Sequence, residues 1–450
     1  MSKHFKLKRG LDIRLKGAVV PVLEEAPVPK TVAIKPTDFT GLIPKLNVKP
    51  DALVKAGDAL FYDKYHPEIL FTSPVSGTVR AINRGERRKI LEVVVEPDGK
   101  NEFQSFPKAD PLKLTREEIL EHLLKSGLWP FLKQRPYGII AKPDSKPKHI
   151  FISGFDSAPL APDYEFIFKN EKGPLQTGIN ALSKLTDGSV YIGLSPKQSD
   201  GIFSSLKNVS LNTFEGAHPS GNVGIQIHHV SAISKGEIIW TISPQAIVFI
   251  GRLFEEGKVD FSKIIALTGS EVKAPKYYKT IHGTELSGLL NGTTRKEAHE
   301  RYISGNVLSG TKVDQDGYLG FFDNQLTVIP EGDEYEMLGW ALPGATKFSA
   351  SKTFLSSLFP KKEYVLNANM HGGERAYVMT GQFEKLLPMD LLPLFLIKAI
   401  LADDIDKMEQ LGIYEIIDED LALCEYADTS KTNIQEIVRR GISTMLKEVG

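Results

Sequence analysis

His149-Ile150-Phe151-Ile152-Ser153-Gly154-Phe155-Asp156-Ser157-Ala158-Pro159 reads as a short apolar strand running into a loop. In an α/β protein this first strand-to-helix turn is where a dinucleotide pyrophosphate is cradled. The cradle needs three glycines in G-x-G-x-x-G spacing. Here there is one, Gly154, and Phe155 and Pro159 would crowd a pyrophosphate. No G-x-x-x-x-G-K-[ST] stretch occurs in the 450 residues. A sheet without its usual nucleotide is therefore expected, since fold does not imply function.

Downstream the alternation continues. Leu175–Leu185 has helical spacing, Val190–Leu194 is a second strand, and Ser243-Pro244 opens a long helix through Leu253 that Gly257 closes. Ile264–Leu267 is a further strand. Strands alternating with helices predict a doubly wound, Rossmann-like α/β domain over 101–260. Upstream, Thr115 and Glu118 form a capping box for a helix carrying Ile119, Leu120, Leu123 and Leu124. Trp129-Pro130-Phe131-Leu132-Lys133-Gln134-Arg135-Pro136-Tyr137 then interleaves aromatic and basic residues between two prolines.

Residues 28–99 read as all-β: apolar runs Thr31–Ile34, Ala59–Tyr62 and Ile90–Val95 are separated by Gly, Pro and Asp turn signals. The run Val54-Lys55-Ala56-Gly57-Asp58-Ala59-Leu60, followed by Phe71-Thr72-Ser73-Pro74-Val75-Ser76-Gly77-Thr78-Val79, resembles the barrel-sandwich hybrid of biotinyl and lipoyl domains. Their modifiable Lys flanked by Met or Ala is missing, so no swinging-arm function carries over. This module takes 1–100, led by a basic arm in which Lys3, Lys6, Lys8, Arg9, Arg14 and Lys16 face only Asp12. The arm reads as exposed, either solvated or set against an acidic partner or anionic lipid headgroups. Residues 261–335 are β-rich with one short helix near Glu285–Leu290, which fits a β-grasp module. A linker over 336–387 and a helical bundle over 388–450 complete the chain. The bundle's segments are Asp404–Leu411, Asp418–Tyr426 and Ile434–Lys447. Residues 402–428 carry ten acidic side chains and one basic, Lys407. They read as a solvated face or a docking surface for a basic partner.

A net charge of −1 argues against a dedicated nucleic-acid binder, which would carry a basic surplus, and leaves room for a local basic patch. The single cysteine, Cys424, excludes an intramolecular disulfide, a Cys-ligated iron–sulfur cluster and a multi-Cys zinc site. The most apolar run, Leu391–Leu401, falls short of the ~20 residues of a membrane span, so any membrane role is expected to come through a partner. His228-His229, taken as strand residues, point to opposite faces and cannot share an ion. The Gly216–Gly224 loop is expected to serve positive φ and close packing. Met370-His371-Gly372-Gly373-Glu374-Arg375 reads as a linker turn. The Trp129–Tyr137 stretch has two readings: a proline-bounded linker packing its aromatics, or a quinone seat with aromatic walls and the donors Lys133 and Arg135.

Several stretches together carry a resemblance. They are Ser126-Gly127-Leu128-Trp129, Arg135-Pro136, His218-Pro219-Ser220-Gly221, Ile239-Trp240-Thr241-Ile242, Arg301–Gly310, Leu338–Gly344, Leu387-Pro388-Met389-Asp390 and Asp418–Cys424. Through them the chain resembles the NqrA family of the Na+-translocating NADH:quinone oxidoreductases (Na+-NQR). The resemblance implies a peripheral subunit on the cytoplasmic face of the bacterial inner membrane, within a six-subunit respiratory complex that oxidises NADH, reduces quinone and exports Na+. It implies a relation in fold to the flavin-binding subunit of complex I and the C subunit of the Rnf complex, without their cofactor ligands, and an SLBB-like β-grasp module. It implies no cofactor bound by this chain, the flavins and iron–sulfur centres lying in other subunits, and membrane subunits and quinone as partners. Quinone-binding candidates are Trp129, Phe131, Lys133, Arg135 and Tyr137, with no catalytic or metal-ligating residue. A scaffold without quinone contact and a flavin-binding oxidoreductase are the alternatives. One departure is Asp428, where some members carry a second cysteine, so no paired-thiol role follows.

Overall fold

Ile150, Phe151 and Ile152 are all buried, as a strand covered on both faces requires. Ile150 and Ile152 face one core and Phe151 the other, because successive side chains alternate across a strand. In the computed structural model, which describes residues 2–295, 299–333 and 336–449, this strand is central to a seven-stranded sheet. The order is Lys3–Lys6, Ser210–Glu215, Val190–Leu194, His149–Ser153, Ile239–Thr241, Lys133–Arg135, Ile139–Ile140. The first five run parallel and the last two are antiparallel additions.

Helices Lys172–Ser183 and Pro244–Glu256 cover one face through Ile179, Leu182, Ile247 and Ile250. They approach closely because each has a glycine at the crossing. A Cβ on Gly251 would sit 1.9 Å from the Pro174 carbonyl oxygen, and one on Gly178 would sit 2.3 Å from that of Ile247. Ser243 caps the second helix, and Gly257 ends it in the left-handed region at φ 69°. Helix Val223–Ser231 covers the other face, joined by the C-terminal helices Pro393–Leu401 and Ile434–Glu448. Ile397, Ile400 and Met445 share one core with Phe151, Phe214 and Ile225. The C-terminal helices thus form the second cover of the sheet, where the sequence pattern alone predicts a separate bundle.

Two smaller sheets, Val32–Ile34/Ile90–Pro97/Gly77–Arg84/Leu53–Val54 and Pro44–Leu46/Ala59–Asp63/Leu70–Thr72, enclose Val32, Leu60, Phe71, Val79 and Val93. A six-stranded mixed sheet, built mainly from residues 262–330, packs Ile265, Leu267, Leu326 and Val328 on Leu286, Leu289 and Leu290, the last two from the short helix Ser287–Leu290.

The basic segment 3–16 is not a free arm. Lys3–Lys6 is the edge strand beside Ser210–Glu215, Leu7, Ile13 and Leu15 are buried, and Leu15 pairs with Tyr364. Leu23–Glu25 then adds an edge to the six-stranded sheet beside Lys276–Ile281. His228 and His229 lie on helix Val223–Ser231 rather than on a strand. Val223, Ile225 and Ile227 alternate as strand residues would, and eight residues are too few for periodicity alone to tell helix from strand.

Candidate functional site

From His149–Ser153 the chain crosses successively to Val190–Leu194 and Ser210–Glu215, whereas Ile239–Thr241 lies on the opposite side. A crevice opens beyond the carboxyl ends of strands at such a reversal. Ser153 and Asp156 form one wall, and Thr241, Ile242 and Ser243 the other. Lys133 and Arg135 reach it from the antiparallel hairpin, Phe322 and Asn306 from loops between strands of the six-stranded sheet, and Ile417 and Glu419 from the C-terminal segment. An inner recess of about 220 Å³ is continuous with an outer cleft of about 1190 Å³ through shared walls at Lys133, Asp156, Tyr164, Ser243 and Phe322.

A pyrophosphate does not fit here. A Cβ on Gly154 would already lie 2.9 Å from Leu194 Cδ2. The helix that follows, Tyr164–Phe168, has five residues, and the Asp163 carboxylate at its start accepts from the Glu165 N–H at 2.9 Å. An anion at that helix end would meet a carboxylate instead of free N–H groups. Asp156 stands nearby, its carboxyl raised by burial and accepting from the Ala158 N–H at 2.8 Å.

The candidate quinone residues separate into three groups. Trp129 is fully buried, stacks edge-on to Trp240 at 5.3 Å, and donates its indole N–H to the Ala141 carbonyl at 2.7 Å. It lines neither cavity. Phe131 packs in an aromatic cluster with Phe321 at 4.4 Å and Phe249 at 5.6 Å, and reaches the inner recess. Arg135, 2% exposed, is committed elsewhere: Nη1 donates to Asp420 Oδ2 at 2.7 Å and Nη2 to Glu419 Oε1 at 3.1 Å. Lys133 is placed differently. Its Nζ stands 3.6 Å from the Phe322 ring centroid, with no carboxylate within 4.0 Å among the described residues. Burial lowers the Lys133 pKa, opposed by Glu419, Asp418 and Asp323. Tyr137 lines the outer cleft, its ring edge-on to Tyr414 at 6.3 Å.

Two features of the crevice escape a reading of the sequence. One is the clasp between Ser157 and His218. Ser157 Oγ lies 3.1 Å from His218 Nδ1 and accepts from the Gly221 N–H at 2.8 Å. Burial pushes the His218 pKa down to about 4, so the ring is neutral at physiological pH. The Gly216–Gly224 loop serves close packing, as expected, but none of its glycines takes positive φ. A Cβ on Gly221 would lie 2.6 Å from the Ser157 nitrogen, and one on Gly224 would lie 2.4 Å from Asp420 Oδ1. The other feature is the inward turn of the acidic segment. Asp420 is buried, Glu415 pairs with His228 Nδ1 at 2.7 Å, and His228 Nε2 accepts from the Asp390 N–H at 3.0 Å. His229 holds the Pro388 carbonyl at 2.8 Å. Much of this segment docks on the chain's own sheet, so it is not simply a solvated face. Among the described residues no cluster of three His, Cys, Asp or Glu could hold a metal. Cys424 is buried, and burial raises its thiol pKa.

Residues 5–98 match the family described as the NqrA N-terminal barrel-sandwich hybrid domain, residues 114–259 the NqrA second alpha/beta domain, and residues 264–315 the NQRA C-terminal domain. A protein of Yersinia pseudotuberculosis serotype O:1b, named as the A subunit of a Na(+)-translocating NADH-quinone reductase, is 39% identical over 448 residues, covering 99% of this chain and 100% of its own. The chain belongs to the NqrA family of Na+-translocating NADH-quinone reductases. Other members include one of Klebsiella pneumoniae, 38% identical across 99% of this chain and 100% of its own. Another, of Saccharophagus degradans, is 36% identical over 98% and 99%. Chains of an NAD+-reducing [NiFe]-hydrogenase superpose with a TM-score of 0.38 at 13% identity, over 74% of this chain and 61% of theirs, a likeness too distant to bear on function. Among the described residues no helix of this NqrA family member is long and apolar enough to cross a membrane.

Proposed function

We propose that this chain is the peripheral, cofactor-free NqrA component of a sodium-translocating NADH:quinone reductase, held on the cytoplasmic face of the bacterial inner membrane by membrane subunits. Its inner recess seats a quinone headgroup. In this reading electrons travel through flavins and iron–sulfur centres of other subunits, Na+ crosses elsewhere, and the isolated chain oxidises no NADH. The observation that supports the quinone seat is Lys133, a partly buried ammonium with no ion-pair partner among the described residues, set over Phe322 on the wall of the recess. At about 220 Å³ the recess is below the ~300 Å³ of pockets that take drug-sized ligands, so it suits a single flat ring. A quinone offers such a ring and two carbonyl acceptors, one of which would take the Lys133 N–H. Phe131 and Phe322 supply apolar walls, and Tyr137 flanks the outer cleft through which a prenyl tail would leave. Arg135 and Trp129 act as supports, one clamping the C-terminal segment and the other packing beneath the hairpin.

The test is titration of a short-chain quinone analogue against the intrinsic fluorescence of the purified chain. Saturable quenching is expected, and Lys133→Met should weaken it about tenfold, the worth of one hydrogen bond from a charged donor. Quenching that never saturates, or that is untouched by Lys133→Met, would favour a scaffold without quinone contact.

A further inference from the structure

Ten of the 24 large apolar side chains that stand exposed among the described residues fall within 337–379, under a tenth of the chain. Charge is as unevenly placed. Residues 337–362 hold Lys347, Lys352, Lys361 and Lys362 and no Asp or Glu, in a chain whose net charge is −1. The local fold explains the exposure. At the short turn Leu355–Leu358 the polar atoms face inward: the Leu355 N–H donates to the Pro343 carbonyl at 3.0 Å, and buried Ser356 donates to the Lys347 carbonyl. Lys362 Nζ ties back to the Ala345 carbonyl. With the polar groups satisfied inside, Leu355, Leu358 and Phe359 are left 54%, 71% and 63% exposed.

A second element brings cations alongside the chain that leaves this turn. Tyr364 N–H donates to the Arg14 carbonyl at 2.8 Å, and Lys16 N–H donates to that of Tyr364 at 2.9 Å. Leu15 and Tyr364 are buried by this pairing, so Arg14 and Lys16 on either side of Leu15 are turned outward. Among the described residues none of Arg14, Lys16, Lys352 and Lys361 has a carboxylate within 4.0 Å. Two carboxylates flank the stretch: Glu363 follows Lys362, and Glu336 pairs with Lys347, which is therefore left out of the surface.

We propose that the turn Leu355–Phe359, with Arg14, Lys16, Lys352 and Lys361 around it, is a contact surface for an anionic lipid bilayer. Leu and Phe rimmed by Lys and Arg is the pattern of interfacial membrane binding, apolar groups entering the headgroup boundary while cations meet lipid phosphates. A protein partner fits less well, because lysine is depleted from protein–protein interfaces. This surface is separate from the crevice, so the quinone titration and the lipid test fail independently.

The experiment is flotation of the full-length purified chain with vesicles of phosphatidylcholine, and with vesicles of phosphatidylcholine doped with phosphatidylglycerol. Binding is expected to the doped vesicles, with far less to the neutral ones, and it should weaken steeply as salt is raised. Lys352→Glu with Lys361→Glu should lower the partition coefficient about tenfold or more, since each cation near an anionic surface is worth about fivefold. Leu358→Ser with Phe359→Ser changes exposed side chains only and should lower it comparably. Absence of binding to doped vesicles would overturn the proposal, as would equal binding to both vesicle types. Binding that neither variant pair reduces would overturn it too, since it would belong to another surface.

Discussion

His218 shows how one side chain couples the crevice to pH. Its ring is buried and neutral, paired with Ser157, and its folded pKa is about 4 against an ordinary 6.5. Between those values the unfolded chain binds the extra proton and the folded chain does not. Stability from this residue is therefore complete above about pH 6.5 and is lost as pH falls toward 4. The full loss amounts to roughly 3 kcal/mol. The expected outcome is a Tm that falls between pH 6.5 and 4, with a shallower fall in His218→Gln. Identical slopes in the two proteins, followed by calorimetry, would show that another group carries the acid sensitivity. Among the described residues neither ring nitrogen of His282 has a hydrogen-bond partner, and the ring sits among Phe131, Phe249, Phe261 and Phe321. Its depressed pKa acts in the same direction, which is why the comparison is made against the variant.

Among the elements, the two helices on the first face of the parallel sheet are the tightest pair. Gly251 and Gly178 let each helix meet the other's backbone, so a methyl at Gly251 has a carbonyl oxygen where it must go. Gly251→Ala gains about 1 kcal/mol of helix propensity. It loses more to forced separation of the helices, overpacking costing about 1–3 kcal/mol. A lower midpoint in urea unfolding is expected, and an unchanged or higher midpoint would show that the pair opens freely. These elements were legible where the signal is local. Thr115 with Glu118, and Ser243 with Gly257, mark helix ends where the structure has them, and His149–Ser153 and Val190–Leu194 are strands at the boundaries read from apolar runs. The single glycine of the first strand-to-helix turn was legible for the same reason, being a matter of a few adjacent residues. The crevice was only half legible. Lys133 and Phe131, named from the sequence, do line it, but Phe322, Asn306 and Glu419 come from segments far along the chain, and no local pattern announces that they converge. Arg135 looked like a free donor because its partner, Asp420, is 285 residues away.

The whole molecule is stitched together by its first residues. Lys3–Lys6 closes the edge of the parallel sheet, Leu15 pairs with Tyr364, and Leu23–Glu25 closes the edge of the six-stranded sheet. Deleting residues 1–27 would bare Ser210–Glu215 and Lys276–Ile281 as unpaired edges, a template for association between chains. The truncated protein is expected to unfold at lower temperature and to elute partly as oligomers in size-exclusion chromatography. A monomer of unchanged Tm would mean the stitching is dispensable. The same stitching orders events during synthesis. The barrel strands between 32 and 97 form their two sheets among themselves, with one isolated bridge from Val32 to Thr284, so most of their pairing can settle soon after they leave the ribosome. The leader in front of them must wait until Glu215, Ile281 and Tyr364 have been translated. Six cations between Lys3 and Lys16 keep that waiting tail hydrated and apart from its neighbours. The earliest part of the polypeptide is thus among the last to be placed, and its charge suits it to the delay.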